Sequence, residues 1–409
     1  MTSARPAARP AARRTVQHIA VVGAGIAGLA CARTLRQAGR QVSVFEAGAQ
    51  VGGRMAVAAS PFGGFDAGAQ YFTVRDARFE RALQTTAPGL ARRWSANAVR
   101  VLDEHGRVVE AALPVREPHW VATPDMNAIA RRWAEPLAAD LHLGTRVCAI
   151  ARDALAPGRW QLHTQGETDS AVHAGFDAVL LAVPSGQARL LLGGLAAARP
   201  PEGGEHPLGG QRSMRSSGAW GYASAARPPK GGECPLGGQR TTRGGERGGL
   251  QPLAQAIANV QAAPCWTLML AYPQAAQPGL HTLGPQWNAA RSTHHRIAWL
   301  ARESSKPGRE PIERWTVQAS PAWSREHAGD DEARAGAKLL KAFAEITGIR
   351  ATPAWSRAVL WHEAQTTAPL GRSFLWEPAS GLGACGDWCL GHRVEDAFVS
   401  GLELALAVL

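Results

Sequence analysis

The feature that most restricts this chain is Gly23-Ala24-Gly25-Ile26-Ala27-Gly28, set between an apolar run and a helical pattern. The run His18-Ile-Ala-Val-Val-Gly reads as a buried parallel strand. Residues 26–38 read as a helix, with Leu29, Ala32 and Leu35 on one face and Gly39 as its stop. Residues 41–46 (QVSVFE) alternate and give a second strand, which completes a βαβ unit. A Gly-x-Gly-x-x-Gly motif by itself is a weak signal. Between a strand and a helix it predicts a dinucleotide site. Gly23 permits the tight turn, Gly25 lets a pyrophosphate approach the backbone, and Gly28 lets the helix pack close to the strand. Ala24, Ile26 and Ala27 complete the loop, and the helix N-terminus faces the phosphates. Glu46 ends the second strand, where a carboxylate accepts hydrogen bonds from a ribose 2′-hydroxyl and repels a 2′-phosphate.

The βαβ unit does not separate NAD from FAD. Further residues help. Val51-Gly52-Gly53-Arg54 follows Glu46 within one loop. Gly52 and Gly53 let the backbone come close, and Arg54 can pair with a phosphate in a fork. The alternative is a glycine turn with a solvated arginine. Near the C-terminus, Gly386-Asp387-Trp388 precedes Val394-Glu395 and an apolar helix at 394–408. The positive end of that helix would stabilise a negative charge placed before it. An ordinary C-terminal helix with an acidic first turn is the other reading.

These motifs together resemble the FAD-binding fingerprint of the amine-oxidase-like flavoproteins. A narrower set resembles the bacterial renalase-like flavoproteins. It comprises Phe65-Asp66-Ala67-Gly68-Ala69-Gln70-Tyr71-Phe72, Val183-Pro184 with Gln187, Pro264-Cys265-Trp266, Ser305-Lys306-Pro307-Gly308-Arg309, the run 319–324 (ASPAWS) and the run 386–401. The resemblance spans about 17–190 and 251–409. It implies an α/β fold with an FAD-binding Rossmann-like lobe and a mixed-sheet substrate lobe, in an amine-oxidase or p-hydroxybenzoate-hydroxylase-like architecture. It assigns 17–76, 126–190 and 378–409 to the FAD lobe, and 77–125 and 251–377 to the substrate lobe. It implies FAD held by the glycine motif, Glu46, Gly52, Gly53, Arg54, Val147, Asp387, Val394 and Glu395, with Gln70 and Tyr71 beside the flavin ring. The implied reaction is oxidation of a small reduced nitrogen compound, an isomeric dihydro-NAD(P), by flavin and then O2, giving hydrogen peroxide. Two departures stand out: Trp361-His362-Glu363-Ala364 replaces a His-Arg-Trp-type run, and the segment 199–249 is extra. An amine oxidase or a desaturase on the same lobe is the alternative enzyme, and a non-catalytic redox sensor is the alternative outside enzymes.

Composition narrows what remains. The 409 residues allow two or three domains. The net charge of +11 would suggest nucleic acid, but its placement does not. The Ala/Pro/Arg-rich tail 1–16 and the segment 199–249 together hold eight of the eleven excess positive charges. No element carries a clustered basic face with aromatics, so no nucleic-acid partner is expected. The segment 199–249 contains fourteen glycines and six prolines. It repeats itself, RPPEGGEHPLGGQR at 199–212 and RPPKGGECPLGGQR at 227–240, with too little apolar content to stack as a solenoid. Both segments read as disordered.

Arg13-Arg14 before an apolar run imitates a twin-arginine signal, and the Arg-rich tail imitates a transit peptide. The glycines within the run favour a mature strand. The six cysteines form no Cys-x-x-Cys, so neither a disulfide framework nor a metal site is expected, and a cytoplasmic setting is. No apolar window is long enough to span a membrane. No Gly-x-Ser-x-Gly elbow occurs, and hydride transfer to a flavin needs no acid–base constellation from the protein. Fourteen tryptophans stand against three tyrosines. Trp266, Trp299, Trp315, Trp361 and Trp376 fall in the expected substrate lobe, where some could wall a pocket for a flat ring.

Overall fold

The structure, a computed structural model, describes residues 16–94, 99–110, 117–197, 250–276 and 287–409. The expectations for the tail 1–16 and the segment 199–249 fall outside these residues, Val16 excepted.

The βαβ unit forms as expected. Strand His18–Val22 leads through the glycine turn into α1 (Ile26–Gln37) and strand Gln41–Phe45. Register pairs Ile19 with Val42 and Val21 with Val44 in parallel. Both faces of this sheet are covered. Ile19, Val21, Val42 and Val44 enter one apolar cluster with α1, while Ala20, Val22 and Phe45 enter another with Val147, Trp160 and Leu162. Burial on both sides explains why His18–Val22 reads as an unbroken apolar run. The full sheet has six strands, in the order Leu375–Glu377, Leu382–Ala384, Ala178–Leu181, His18–Val22, Gln41–Phe45 and Leu141–His142. All neighbours are parallel except the first pair.

A second sheet of seven strands builds the other half of the molecule. Its order is Trp355–Ala368, Gln261–Tyr272, Glu313–Ala319, Ile297–Arg302, Ala289–Ser292, Val99–Leu102 and Val108–Glu110. It is antiparallel apart from the pair Ala289–Ser292 and Val99–Leu102. This is the mixed sheet expected of a substrate lobe. The helix Glu332–Thr347 covers it, packing Leu339, Phe343 and Ile346 against Leu268 and Trp315. Its N-cap Asp331 accepts from the Arg334 backbone at 2.7 Å, and Gly348 closes its C-terminus at φ +75°.

Three stretches pack differently from the sequence expectation. Helix α2 (Ala77–Thr86), expected in the substrate lobe, buries Phe79 and Leu83 against the α1 layer. Strand Leu375–Glu377 pairs into the six-stranded sheet rather than the seven-stranded one. The helix Leu250–Ala258 places Leu253 and Ile257 in the cluster of Leu191 and Leu192 on helix Ser185–Ala197. In each case the apolar side chains meet their partners across a boundary that no local pattern marks. Gly144, whose φ is +62°, separates the short strand Leu141–His142 from strand Arg146–Arg152.

The two helices that flank 199–249 therefore close onto each other through their own apolar faces. A chain in which a linker of about ten Gly/Ser residues replaces 199–249 is expected to keep its melting temperature within about 2 °C, since loop closure depends only weakly on length. Loss of soluble protein on that replacement would show that the segment supports the fold.

Candidate functional site

One cavity of about 770 Å³ runs between the two sheets. At one end lie Gly23, Gly25, Ile26, Ala27 and Glu46; at the other lie Tyr71, Arg291, Trp299 and Gln318.

The glycine motif divides its labour by geometry. Gly23 turns at φ +104°, where a side chain would meet the Ala182 carbonyl. A Cβ on Gly28 would sit 1.9 Å from the Gly23 carbonyl oxygen, so this glycine serves helix packing and lies off the cavity. Gly25 caps α1 and lines the cavity, and a Cβ there would meet nothing within 4 Å. That is the open cradle a pyrophosphate requires. Glu46 is 4% exposed and doubly held: Oε2 accepts from the Ala24 backbone and Oε1 from the Gly48 backbone, both at 2.8 Å. Burial pushes its carboxyl up and these backbone donors oppose the shift. The Ala24 N–H is thus committed to holding Glu46, and Ala24 does not line the cavity. These features fit a dinucleotide with a ribose against Glu46.

Gly52, Gly53 and Arg54 also line the cavity. The Gly53 Cβ position is 3.5 Å from the Gly25 Cα, so the two glycine loops touch. Arg54 does not stand free for a phosphate. Its Nη2 donates to Asp387 Oδ1 at 2.5 Å, and its Nη1 donates to the Glu363 and Ala364 carbonyls at 3.4 Å. It joins the N-terminal loop, the C-terminal Gly386-Asp387 turn and strand Trp355–Ala368 across 309 to 333 residues of sequence. Arg54→Ala is expected to lower flavin occupancy in the purified protein at least tenfold, by leaving Asp387 without its counter-charge beside a bound phosphate. Unchanged occupancy would remove this role.

The C-terminal helix Val394–Val408 points its first turn at the cavity through Val394 and Ala397. Glu395 has another task. Its Oε1 accepts from the Arg75 and Asp76 backbones, both at 2.5 Å, which anchors the loop before α2. Val147, expected at the cofactor, packs instead in the cluster of Phe45 and Trp160, outside the cavity wall. Glu363, in the departure at 361–364, accepts from Ser185 Oγ at 2.8 Å and from the Gly186 backbone, closing the N-terminus of helix Ser185–Ala197.

Gln70 and Tyr71 both line the cavity, but differently. Every polar atom of Gln70 is engaged. Its Nε2 donates to the Asp66 and Gly68 carbonyls, and its Oε1 accepts from Lys306 Nζ at 3.1 Å. Gln70 therefore shapes the wall and has no polar atom to spare for a substrate. Lys306 is the side chain that composition and spacing did not single out. Its side chain is 0% exposed and also donates to Asp66 Oδ2 at 2.9 Å and Glu303 Oε1 at 3.0 Å. Arg309 adds a second contact to Asp66 at 2.6 Å. Burial alone would raise the Asp66 carboxyl, but the charges of Lys306 and Arg309 overcome it and hold it down, to about 2. Glu303 moves the opposite way: burial raises it, and Lys306 only partly opposes this.

Tyr71 packs at a tilt, with its ring centroid 3.9 Å from His119 and 5.6 Å from Trp299. Trp361 walls another side, with its Nε1 donating to the Ala67 carbonyl at 3.1 Å. Trp266 and Trp315 are core residues of the seven-stranded sheet, so of the five tryptophans singled out only Trp299 and Trp361 reach the cavity. Cys265 lines it too, but burial pushes its thiol up to about 12, which leaves no thiolate at neutral pH. Among the described residues no cluster of His, Cys, Asp or Glu could hold a metal ion, and no helix is long and apolar enough to cross a membrane.

Residues 21–86 match the model of the NAD(P)-binding Rossmann-like domain family. A 39-residue stretch is 59% identical to a provisionally assigned flavin-containing monooxygenase, FMO GS-OX-like 10, of Arabidopsis thaliana. That stretch spans 10% of this chain and 9% of the relative. The whole architecture is similar to solved oxidase structures. A provisionally assigned protoporphyrinogen oxidase from Exiguobacterium sp. 255-15 superposes with a TM-score of 0.64 at 12% identity, covering 96% of this chain and 98% of that one. Cyclohexylamine oxidase from Brevibacterium oxydans gives 0.60 at 13%, covering 97% and 99%. Putrescine oxidase gives 0.58 at 11%, covering 96% and 98%. The fold is therefore the α/β fold of these solved oxidases, a Rossmann-like sheet beside a mixed one.

Proposed function

We propose that this protein is an FAD-dependent oxidase that takes a hydride from a small, flat, reduced nitrogen compound and passes the electrons to O2, forming hydrogen peroxide. The observation that carries this reading is the continuity of the cavity, from the Gly25 cradle and Glu46 to an aromatic chamber of Tyr71, Trp299 and Trp361. FAD would suit both ends: Glu46 would hold its adenosine ribose and Tyr71 would lie beside its ring system. When bound there, the isoalloxazine supplies hydride acceptance and reoxidation by oxygen. The chain's residues bind, orient and shield. Gly25 and the start of α1 receive the pyrophosphate, the Arg54–Asp387 pair ties the lobes together, and the first turn of the C-terminal helix offers positive potential near the flavin.

The donor we favour is an isomeric dihydronicotinamide, as the renalase-like resemblance implies. Flat aromatic walls suit a dihydropyridine ring. A primary amine is the second reading, favoured by the fold shared with cyclohexylamine oxidase and putrescine oxidase. An anaerobic titration that follows the visible flavin band decides between them. Bleaching by a dihydronicotinamide mixture, reversed by air with peroxide formed, is the expected result. Bleaching by primary amines alone would move the assignment to amine oxidase. A yellow protein that no donor bleaches would point to a desaturase or a redox sensor.

A further inference from the structure

We propose that Arg291 makes the substrate chamber selective for anions: the donor carries a carboxylate or phosphate that sits on Arg291 while its ring lies against Tyr71 and Trp299. This rests on the oxidase reading above and narrows its substrate class.

Three observations converge. First, strand Ala289–Ser292 pairs antiparallel with Ile297–Arg302, with Arg291 directly opposite Trp299. Residues paired across strands share a face of the sheet, and both side chains line the cavity. Second, Arg291 has no carboxylate partner among the described residues, whereas the carboxylates on the cavity wall are already answered. Glu46 is held by the Ala24 and Gly48 backbones, Asp387 by Arg54, and Glu363 by Ser185 and Gly186. The chamber end thus presents a cation without a counter-ion. Third, two nitrogens near it are buried with no partner among the described residues, Trp299 Nε1 on the cavity wall and His119 Nδ1 behind it. Trp299 is 8% exposed and packs at a tilt beside Tyr71, which packs at a tilt on His119. Burial first, and the Arg291 charge second, lower the basicity of His119, so its imidazole is neutral at pH 7.

Arg291, exposed and without a carboxylate partner among the described residues, attracts an acceptor-rich anion and repels an ammonium ion, and the Trp299 N–H beside it is free to donate. Alkylamines and diamines, which enter as cations, gain nothing here. A ring bearing an acidic group gains both a charge-assisted hydrogen bond and stacking area.

The test is a charge series on one ring, read as perturbation of the visible flavin band of the full-length, flavin-loaded protein in the oxidised state. The ligands are benzoate, phenyl phosphate, benzamide and benzylamine. Benzoate or phenyl phosphate is expected to bind at least tenfold tighter than benzamide at low salt, and benzylamine weakest. Preference for benzoate identifies a carboxylate, and preference for phenyl phosphate identifies a phosphate. Arg291→Ala is expected to erase the preference, and Arg291→Lys to keep part of it. Equal binding of the neutral and anionic ligands, or an Arg291→Ala protein with its preference intact, would overturn the proposal. If Arg291→Ala lost its flavin, the wild-type comparison of benzoate with benzamide would decide by itself. These are equilibrium measurements, so they stand apart from the donor titration. An anion preference in a protein that no dihydronicotinamide bleaches would retire the donor and leave the anion seat. Bleaching without any anion preference would do the reverse.

Discussion

A Gly25→Val protein is expected to fold like the parent and to purify without flavin. The backbone at Gly25 is ordinary, with φ −72° and ψ 179°, so a branched residue is sterically allowed there. Nothing lies within 4 Å of the Cβ position, so the ligand-free chain accommodates the side chain. The same space at the N-terminus of α1 is where a pyrophosphate must approach the backbone. Filling it costs the bound state about 3 kcal/mol or more, which is over a hundredfold in affinity. Thermal unfolding of the flavin-free forms checks the first half of the prediction, and visible flavin absorbance per chain checks the second. Gly28→Val is the instructive contrast. Its Cβ would lie 1.9 Å from the Gly23 carbonyl oxygen, so that chain loses the fold itself. A yellow Gly25→Val protein would place the dinucleotide elsewhere.

A large stability effect is also expected of Lys306→Met. The methionine nearly matches the lysine in shape, so the loss is mainly of charge. Asp66 and Glu303, 1% and 0% exposed, would then lose the ammonium that joins them. Removing one partner of a buried ionic cluster costs about 3–5 kcal/mol. That is a large part of the 5–15 kcal/mol on which a domain of ordinary stability depends. The pH dependence follows from the direction of the shifts. In the parent, Asp66 is held down to about 2, so its contribution is present above the ordinary carboxylate value near 3.9 and fades as pH falls toward 2. The raised Glu303 contributes with the opposite sign: its stabilisation is present at low pH and lost as pH rises. In Lys306→Met both carboxyls move up. The deficit relative to the parent is therefore expected to be larger at pH 8 than at pH 5. Urea unfolding at the two pH values measures it, and a deficit that does not change with pH would argue against an ionic origin. Gln70 also loses the donor on its Oε1, so the cavity wall loosens with the cluster.

The division between what could be read and what could not follows sequence distance. The glycine turn, α1 and Glu46 depend on neighbours a few residues away. Periodicity, capping and backbone freedom therefore expose them. The run 386–401 is likewise local. Its first helical turn reaches the cavity as expected, although Glu395 within it turns to the Arg75–Asp76 backbone instead. Val147 shows the limit of carrying a role over by likeness: its alternation on a strand is compatible with either face, and packing against Phe45 and Trp160 chooses the one away from the cavity.

By itself, then, the amino-acid sequence determined the dinucleotide-binding βαβ unit, the two low-complexity segments and the apolar helices, because each is specified by residues that are close along the chain. Only the tertiary structure decided that Lys306 closes onto Asp66 across 240 residues, that Arg54 meets Asp387 across 333, and that Arg291, His119 and Trp299 gather around Tyr71. Such groupings arise from the register of the seven-stranded sheet and its seating against the six-stranded one. A buried charge or an open guanidinium acquires its meaning only from partners that strand pairing brings within about 4 Å.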